Sequence, residues 1–124
     1  MTSTSTTRIA AAVGLLAVVL GAFGAHGLKD LLTQNNTAAI WEKAVFYHFI
    51  HAVMLFVLAD SKPFRTLAWW SFIIGICVFS GSLYLLAVTN ALWLGAITPV
   101  GGVSFIVGWT CLIISAGRGN PAAK

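Results

Sequence analysis

Acidic side chains are almost missing from this chain. Asp30, Glu42 and Asp60 are the only three in 124 residues, and charged residues of both signs make up 8%. A soluble domain typically carries about 25% charged residues. Cysteine is as scarce. Cys77 and Cys111 are too few for a disulfide framework or a four-thiolate metal site. Both fall inside apolar stretches, where a free thiol behaves as a small hydrophobe, and nothing in their spacing shows a pairing. Enzymes commonly work through a carboxylate pair or through a nucleophile held by a base and an orienting group. Neither set is visible here, nor is a glycine loop with a lysine that would cradle phosphates. The chain is therefore not expected to be an enzyme.

Apolar residues are abundant instead. They make up 59% of the chain, with a mean hydropathy of +0.93. They gather in four runs, at about residues 9–25, 41–59, 67–88 and 94–116. Three of these hold no charged residue, and the second carries Glu42 and Lys43 only at its start. A bilayer core needs about 20 apolar residues per helix. The expected fold class is all-α: a four-helix transmembrane bundle with both termini on the same, cytoplasmic side. One membrane domain, residues 9–116, is expected between a disordered Ser/Thr-rich tail, residues 1–8, and a C-terminal tail, residues 117–124.

The net charge of +4 could suggest nucleic acid, but the seven basic residues are scattered at the ends of the runs and form no patch. No nucleic-acid partner is expected. Their placement reports orientation instead. Arg8, Lys62, Arg65, Arg118 and Lys124 lie on the two tails and the second connection, against Lys29 and Lys43 on the other two. Cytoplasmic loops are enriched in Lys and Arg, which places both termini in the cytoplasm. A cleaved signal peptide is an alternative for the first run. Its apolar core is long for that purpose, and three more spans follow.

The first run is built from small residues. Ala10, Gly14, Ala17, Gly21 and Ala25 form one stripe on a helix, where another backbone can approach closely. Residues 28–40 read as the longest connection, with Asn35, Asn36 and Thr37 as a turn leading to a helix N-cap. Residues 38–46 mix charged and apolar side chains, as an interfacial segment does, so the start of the second span stays open. Trp69 and Trp70 are expected at the membrane–water boundary. Pro99, Gly101 and Gly102 are expected to break the fourth helix and leave backbone carbonyls lining a cavity.

The non-apolar residues inside the spans gather toward the outer side. His26 ends the first helix. Tyr47, His48 and His51 lie on the second, Ser80, Ser82 and Tyr84 on the third, and Thr98 with the proline–glycine segment on the fourth. Ionisable groups within a membrane usually face the bundle interior or a water-filled cavity, which makes this layer a candidate ligand site. Helices packed through small residues also need Gly, Ser and Thr simply to meet, and that packing role stands beside the first. Three histidines could in principle supply metal or haem ligands. His48 and His51, three apart without a carboxylate or thiol at ligand spacing, carry that reading poorly, so no metal or cofactor is expected.

Four motifs then carry a resemblance. Gly21-Ala22-Phe23-Gly24-Ala25-His26-Gly27 closes the first helix. Trp41-Glu42-Lys43-Ala44-Val45 leads to Tyr47 and His51. Phe79-Ser80-Gly81-Ser82-Leu83-Tyr84 sits in the third span. Thr98-Pro99-Val100-Gly101-Gly102-Val103-Ser104-Phe105 with Gly108-Trp109 sits in the fourth. Together, over nearly the whole chain, they resemble the DUF423 family of small bacterial inner-membrane proteins, related to the eukaryotic transmembrane protein 256 group. The resemblance implies about four membrane helices and no established activity. It also marks His26, Tyr47, His51, Ser80, Ser82, Tyr84, Thr98, Pro99, Gly101 and Gly102 as motif positions, and leaves His48 outside them. These ten are the candidate ligand-binding residues. The leading expectation is a non-enzymatic membrane protein whose outward-facing layer binds or passes a small polar species or a lipid headgroup. The alternative is a structural or accessory subunit of a larger membrane complex. A haem- or metal-binding membrane protein is the weakest of the three. The expected partners are the lipid bilayer, and further copies of the chain or a larger membrane complex.

Overall fold

The structure, a computed structural model, describes residues 2–118. Four helical spans cover Ser3–Ala25, Ala38–Leu58, Thr66–Thr89 and Leu92–Gly117, each long and apolar enough to cross a bilayer. Helix α1 is Ser3–Ala25, α2 is Lys29–Asn35 and α3 is Ala38–Leu58. The third span is α4, Thr66–Gly75, then a wide π turn, Ile76–Ser80, then α5, Gly81–Thr89. The fourth is a 3-10 segment, Leu92–Ala96, followed by α6, Thr98–Gly117.

Several elements differ from what the sequence suggests. Residues 1–8 are expected to be a loose tail, yet α1 already begins at Ser3. Thr2 caps it by accepting from the Ser5 N–H at 3.2 Å, and the Thr6 hydroxyl donates to the Ala59 carbonyl at 2.7 Å. Those bonds carry the helix beyond its apolar run. The tail expected over residues 117–124 lies outside the described residues from position 119 onward. The connection over residues 28–40 contains α2, which closes on Asn36 in the left-handed conformation (φ 55°) that asparagine tolerates. Helix α3 is continuous from Ala38, with Trp41 buried. Trp70 is exposed, whereas Trp69 is in the core, 5.5 Å from the Phe64 ring.

The proline–glycine segment does not break a helix. Pro99 sits in the first turn of α6, where a backbone N–H would have no intrahelical partner anyway. Gly101 and Gly102 then continue the helix.

Packing runs from α1 to α3, from α3 to the third span, and from the third span to α6. Ser3 donates to Asp60 at one end of the bundle, so the start of α1 meets the α3–α4 connection there, as does the end of α6. This is the termini end; α2 and the 3-10 segment mark the opposite, hairpin end. Lipid tails are as apolar as leucine, so helices associate through close packing and hydrogen bonds rather than by hiding from water. The α4–α6 seam shows how. A side chain at Gly75 would run into the Phe105 ring, one at Gly108 into Phe72, and one at Gly101 into the Phe79 backbone. Each glycine thus opens a slot for a phenylalanine residue of the opposite helix, and the three pairs run antiparallel along the seam. Gly24 does the same for the Trp41 indole between α1 and α3. On α1 the buried residues Thr6, Ala10 and Ala17 lie on the small-residue stripe, whereas Ala25 is exposed.

Candidate functional site

His48 lies on α3 with its ring buried. Its Nε2 is 3.0 Å from the Val13 carbonyl on α1, and its Nδ1 is 2.8 Å from the Tyr84 hydroxyl on α5. A carbonyl only accepts, so Nε2 carries a proton, and in the neutral ring Tyr84 donates to Nδ1. One imidazole therefore joins three helices. Tyr84 also packs on Trp41, with ring centroids 4.7 Å apart, and the Trp41 indole N–H donates to the Leu20 carbonyl at 2.9 Å.

His51 uses the opposite tautomer. Its Nδ1–H donates to the Tyr47 carbonyl one turn earlier at 2.7 Å, and its Nε2 accepts the Trp109 indole N–H from α6 at 3.0 Å. The ring stacks on Phe105, with centroids 3.7 Å apart and planes inclined by 11°. The hydroxyls tie further seams. Ser80 donates to the Ala44 carbonyl at 2.8 Å, joining the π turn to α3. Ser82 and Thr98 share a 2.7 Å hydroxyl pair between α5 and α6, and Ser104 donates to the Ser71 carbonyl at 2.7 Å. Among the described residues, every buried side-chain nitrogen or oxygen has a hydrogen-bond partner.

The ten candidate residues therefore divide. Tyr84, Ser80, Ser82, Thr98 and His51 belong to this interhelical network. Tyr47 lends its carbonyl, and its ring, 37% exposed, rests on Phe79. Gly101 serves the α4–α6 seam and Gly102 lies beside Phe79. Pro99 is exposed at the start of α6. His26 is exposed at the C-cap of α1, at the hairpin end. His51 is thirteen residues into α3 from that end, about 20 Å at 1.5 Å per residue, so the two do not meet. The layer is thus spread in depth rather than gathered at one level.

His48 lies outside the motif set, yet it holds more helices together than any of the ten. Trp109 was visible in a motif without any sign of its partner. Asn35, Asn36 and Thr37 are expected to form a turn leading to the N-cap of α3. Thr37 makes no such cap; its hydroxyl donates to the Ala87 carbonyl at 2.7 Å, while the Asn35 amide donates to Ala87 and Val88 at 3.1 Å each. Both close off the free carbonyls at the end of α5. Cys77 and Cys111 are free thiols. Among the described residues no three His, Cys, Asp or Glu side chains converge as metal ligands.

Two cavities open elsewhere on the bundle. One, of about 480 Å³, is an apolar groove between α1 and α3 with Trp41, Phe46 and Phe49 on its wall and Glu42 at its rim. The other, of about 800 Å³, lies at the termini end between the α3–α4 connection and the last turns of α6. None of the ten candidate residues lines either.

Four apolar spans tied by buried hydrogen bonds define an α-helical multi-pass membrane protein. More particularly, the profile of the family described as "Protein of unknown function (DUF423)" matches residues 20–102, and the chain belongs to that family. It is 48% identical over 108 residues to the UPF0382 membrane protein YwdK of Bacillus subtilis, covering 82% of this chain and 87% of that one. A UPF0382 membrane protein of Staphylococcus epidermidis is 47% identical over 105 residues, covering 82% and 85%. No solved structure matches the chain. The relatives' names state a membrane location and no activity.

Proposed function

We propose that the protein is a non-enzymatic accessory subunit of the bacterial plasma membrane, with both termini in the cytoplasm, that offers a rigid bundle to a transmembrane helix of another polypeptide. One observation carries this reading: the buried polar groups are spent on bonds between the protein's own helices. A conduit or polar ligand site needs groups that can exchange partners. His48, His51, Ser80 and Ser82 each hold one already. The orientation rests on Arg8, Lys62, Arg65 and Arg118 at the termini end, with Lys29 and Lys43 toward the other. Helix α1 is the natural docking element. It packs on α3 and, at its end, on α2, and leaves Leu15, Leu16, Val18 and Val19 facing outward.

A photo-crosslinker at Leu15 or Val18, activated in native membranes, tests this. One recurring heterologous membrane polypeptide is the expected product, and lipid adducts or self-adducts alone would overturn it. The binding or passage of a small polar species is the second reading. It is favoured by the exposure of His26 and Tyr47, the two members of the set with an accessible polar side chain. Loss of a measured flux or of a retained small molecule in both His26→Ala and Tyr47→Phe would move the assignment there.

A further inference from the structure

The 800 Å³ cavity at the termini end lies apart from the polar network and from α1. We propose that it seats the phosphate of an anionic phospholipid. Lys62, Arg65 and Arg118 line it, and among the described residues no carboxylate does. Asp60, the nearest acid in sequence, is engaged by the Ser3 hydroxyl of α1 at 2.7 Å. Asp30 and Glu42 belong to elements that start at the hairpin end. Three cations with no carboxylate among the described lining residues favour an anion, and the planar arginine fork matches the oxygens of a phosphate. Basic pockets between membrane helices are a recurrent form of headgroup site. The first turn of α4 adds to this without carrying it. Thr66, Leu67 and Ala68 line the same cavity, and the first backbone bond of the helix is from the Trp69 N–H to the Arg65 carbonyl at 3.0 Å. The three preceding N–H groups are thus free to point at an oxyanion.

The rest of the wall argues for a lipid over free phosphate. Leu67, 63% exposed, and Ile114, 52% exposed, continue it along the α4–α6 surface. A cationic mouth above an aliphatic flank fits a phosphate ester with acyl chains, whereas an inorganic ion would use only the mouth.

The test is native mass spectrometry of the full chain, delipidated in mild detergent and titrated with phosphatidylglycerol, phosphatidylcholine or inorganic phosphate. One phosphatidylglycerol should be retained in preference to phosphatidylcholine. Lys62→Gln, Arg65→Gln and Arg118→Gln should each weaken it about fivefold. Arg8→Gln removes the same charge at the same end outside the cavity, and should leave binding unchanged. Circular dichroism confirms that each variant is folded, and Arg118→Gln, beyond the last turn of α6, supplies the reading if Arg65→Gln is not. Equal retention of the two lipids would overturn the proposal. So would an equal loss in Arg8→Gln, which would mean diffuse surface attraction, or displacement of the lipid by millimolar inorganic phosphate, which would mean a free-anion site.

Discussion

Trp109 donates its indole N–H to Nε2 of His51 across 3.0 Å, linking α6 to α3. Indole can only donate, so His51 must present a lone pair, and protonating it would set one N–H against another. Trp109→Phe should therefore cost about 0.6–1.7 kcal/mol, from the mean to the maximum measured for interhelical hydrogen bonds in a membrane protein. His51→Ala also removes the ring stacked on Phe105 and leaves a void, and should cost about 2–4 kcal/mol. The double variant should cost less than the sum of the two, because one bond is removed twice. Reversible unfolding in mixed micelles measures all three.

The glycines of the third and fourth spans should separate sharply on replacement by alanine. At Gly101 the new methyl meets the Phe79 backbone, which no rotamer change can move aside, and the loss should be about 1–3 kcal/mol or more. At Gly81 nothing lies within 4 Å, so alanine should be neutral or gain up to about 1 kcal/mol from helix propensity. Gly102, with Phe79 at 3.8 Å, should fall near zero. Thermal or denaturant midpoints of the three variants give the order.

Thr37→Val should unfasten the end of α5 and leave the start of α3 intact, since its hydroxyl serves Ala87 and makes no cap bond for its own helix. The expected loss is about 1 kcal/mol. Amide hydrogen exchange should rise at the end of α5, around Asn90, whose N–H donates to the Leu86 carbonyl at 2.7 Å, and stay constant in the first turns of α3.

Orientation can be read with single cysteines in a Cys77→Ala, Cys111→Ala background. Thr4→Cys and Gln34→Cys lie at exposed positions of opposite ends. In intact cells a membrane-impermeant maleimide should label the second and not the first, and lysis should expose the first. The reverse pattern would place the termini outside.

The spans were legible because length and apolarity alone mark a membrane helix. Their ends were less so. Helix α1 starts at Ser3 because Thr6 finds a carbonyl 53 positions away, a bond with no local trace. Helix α2 has seven residues and no apolar run, so periodicity passes over it. Pro99 is a breaker inside a helix and a good first-turn residue at its start, and only the position of that start separates the two. The network was half legible. Its donors are the polar residues the sequence displays. Many of its acceptors are carbonyls of Val13, Leu20, Ala44 and Ala87, whose side chains advertise nothing. His48 stands outside the candidate set because the resemblance does not mark it, and the separation of His26 from His51 shows only once helix depth is measured in ångströms.

The glycine slots along the α4–α6 seam have a mechanical corollary. The rings of Phe72 and Phe105 and the backbone of Phe79 are each lodged where a glycine yields, on alternating sides of the contact. Sliding one span past the other by a single turn would have to lift two rings and the Phe79 backbone at once over side chains that are not glycine. The pair consequently behaves as a gear locked in mesh. Any rearrangement that docking or lipid exchange requires must therefore keep the register of the last two spans.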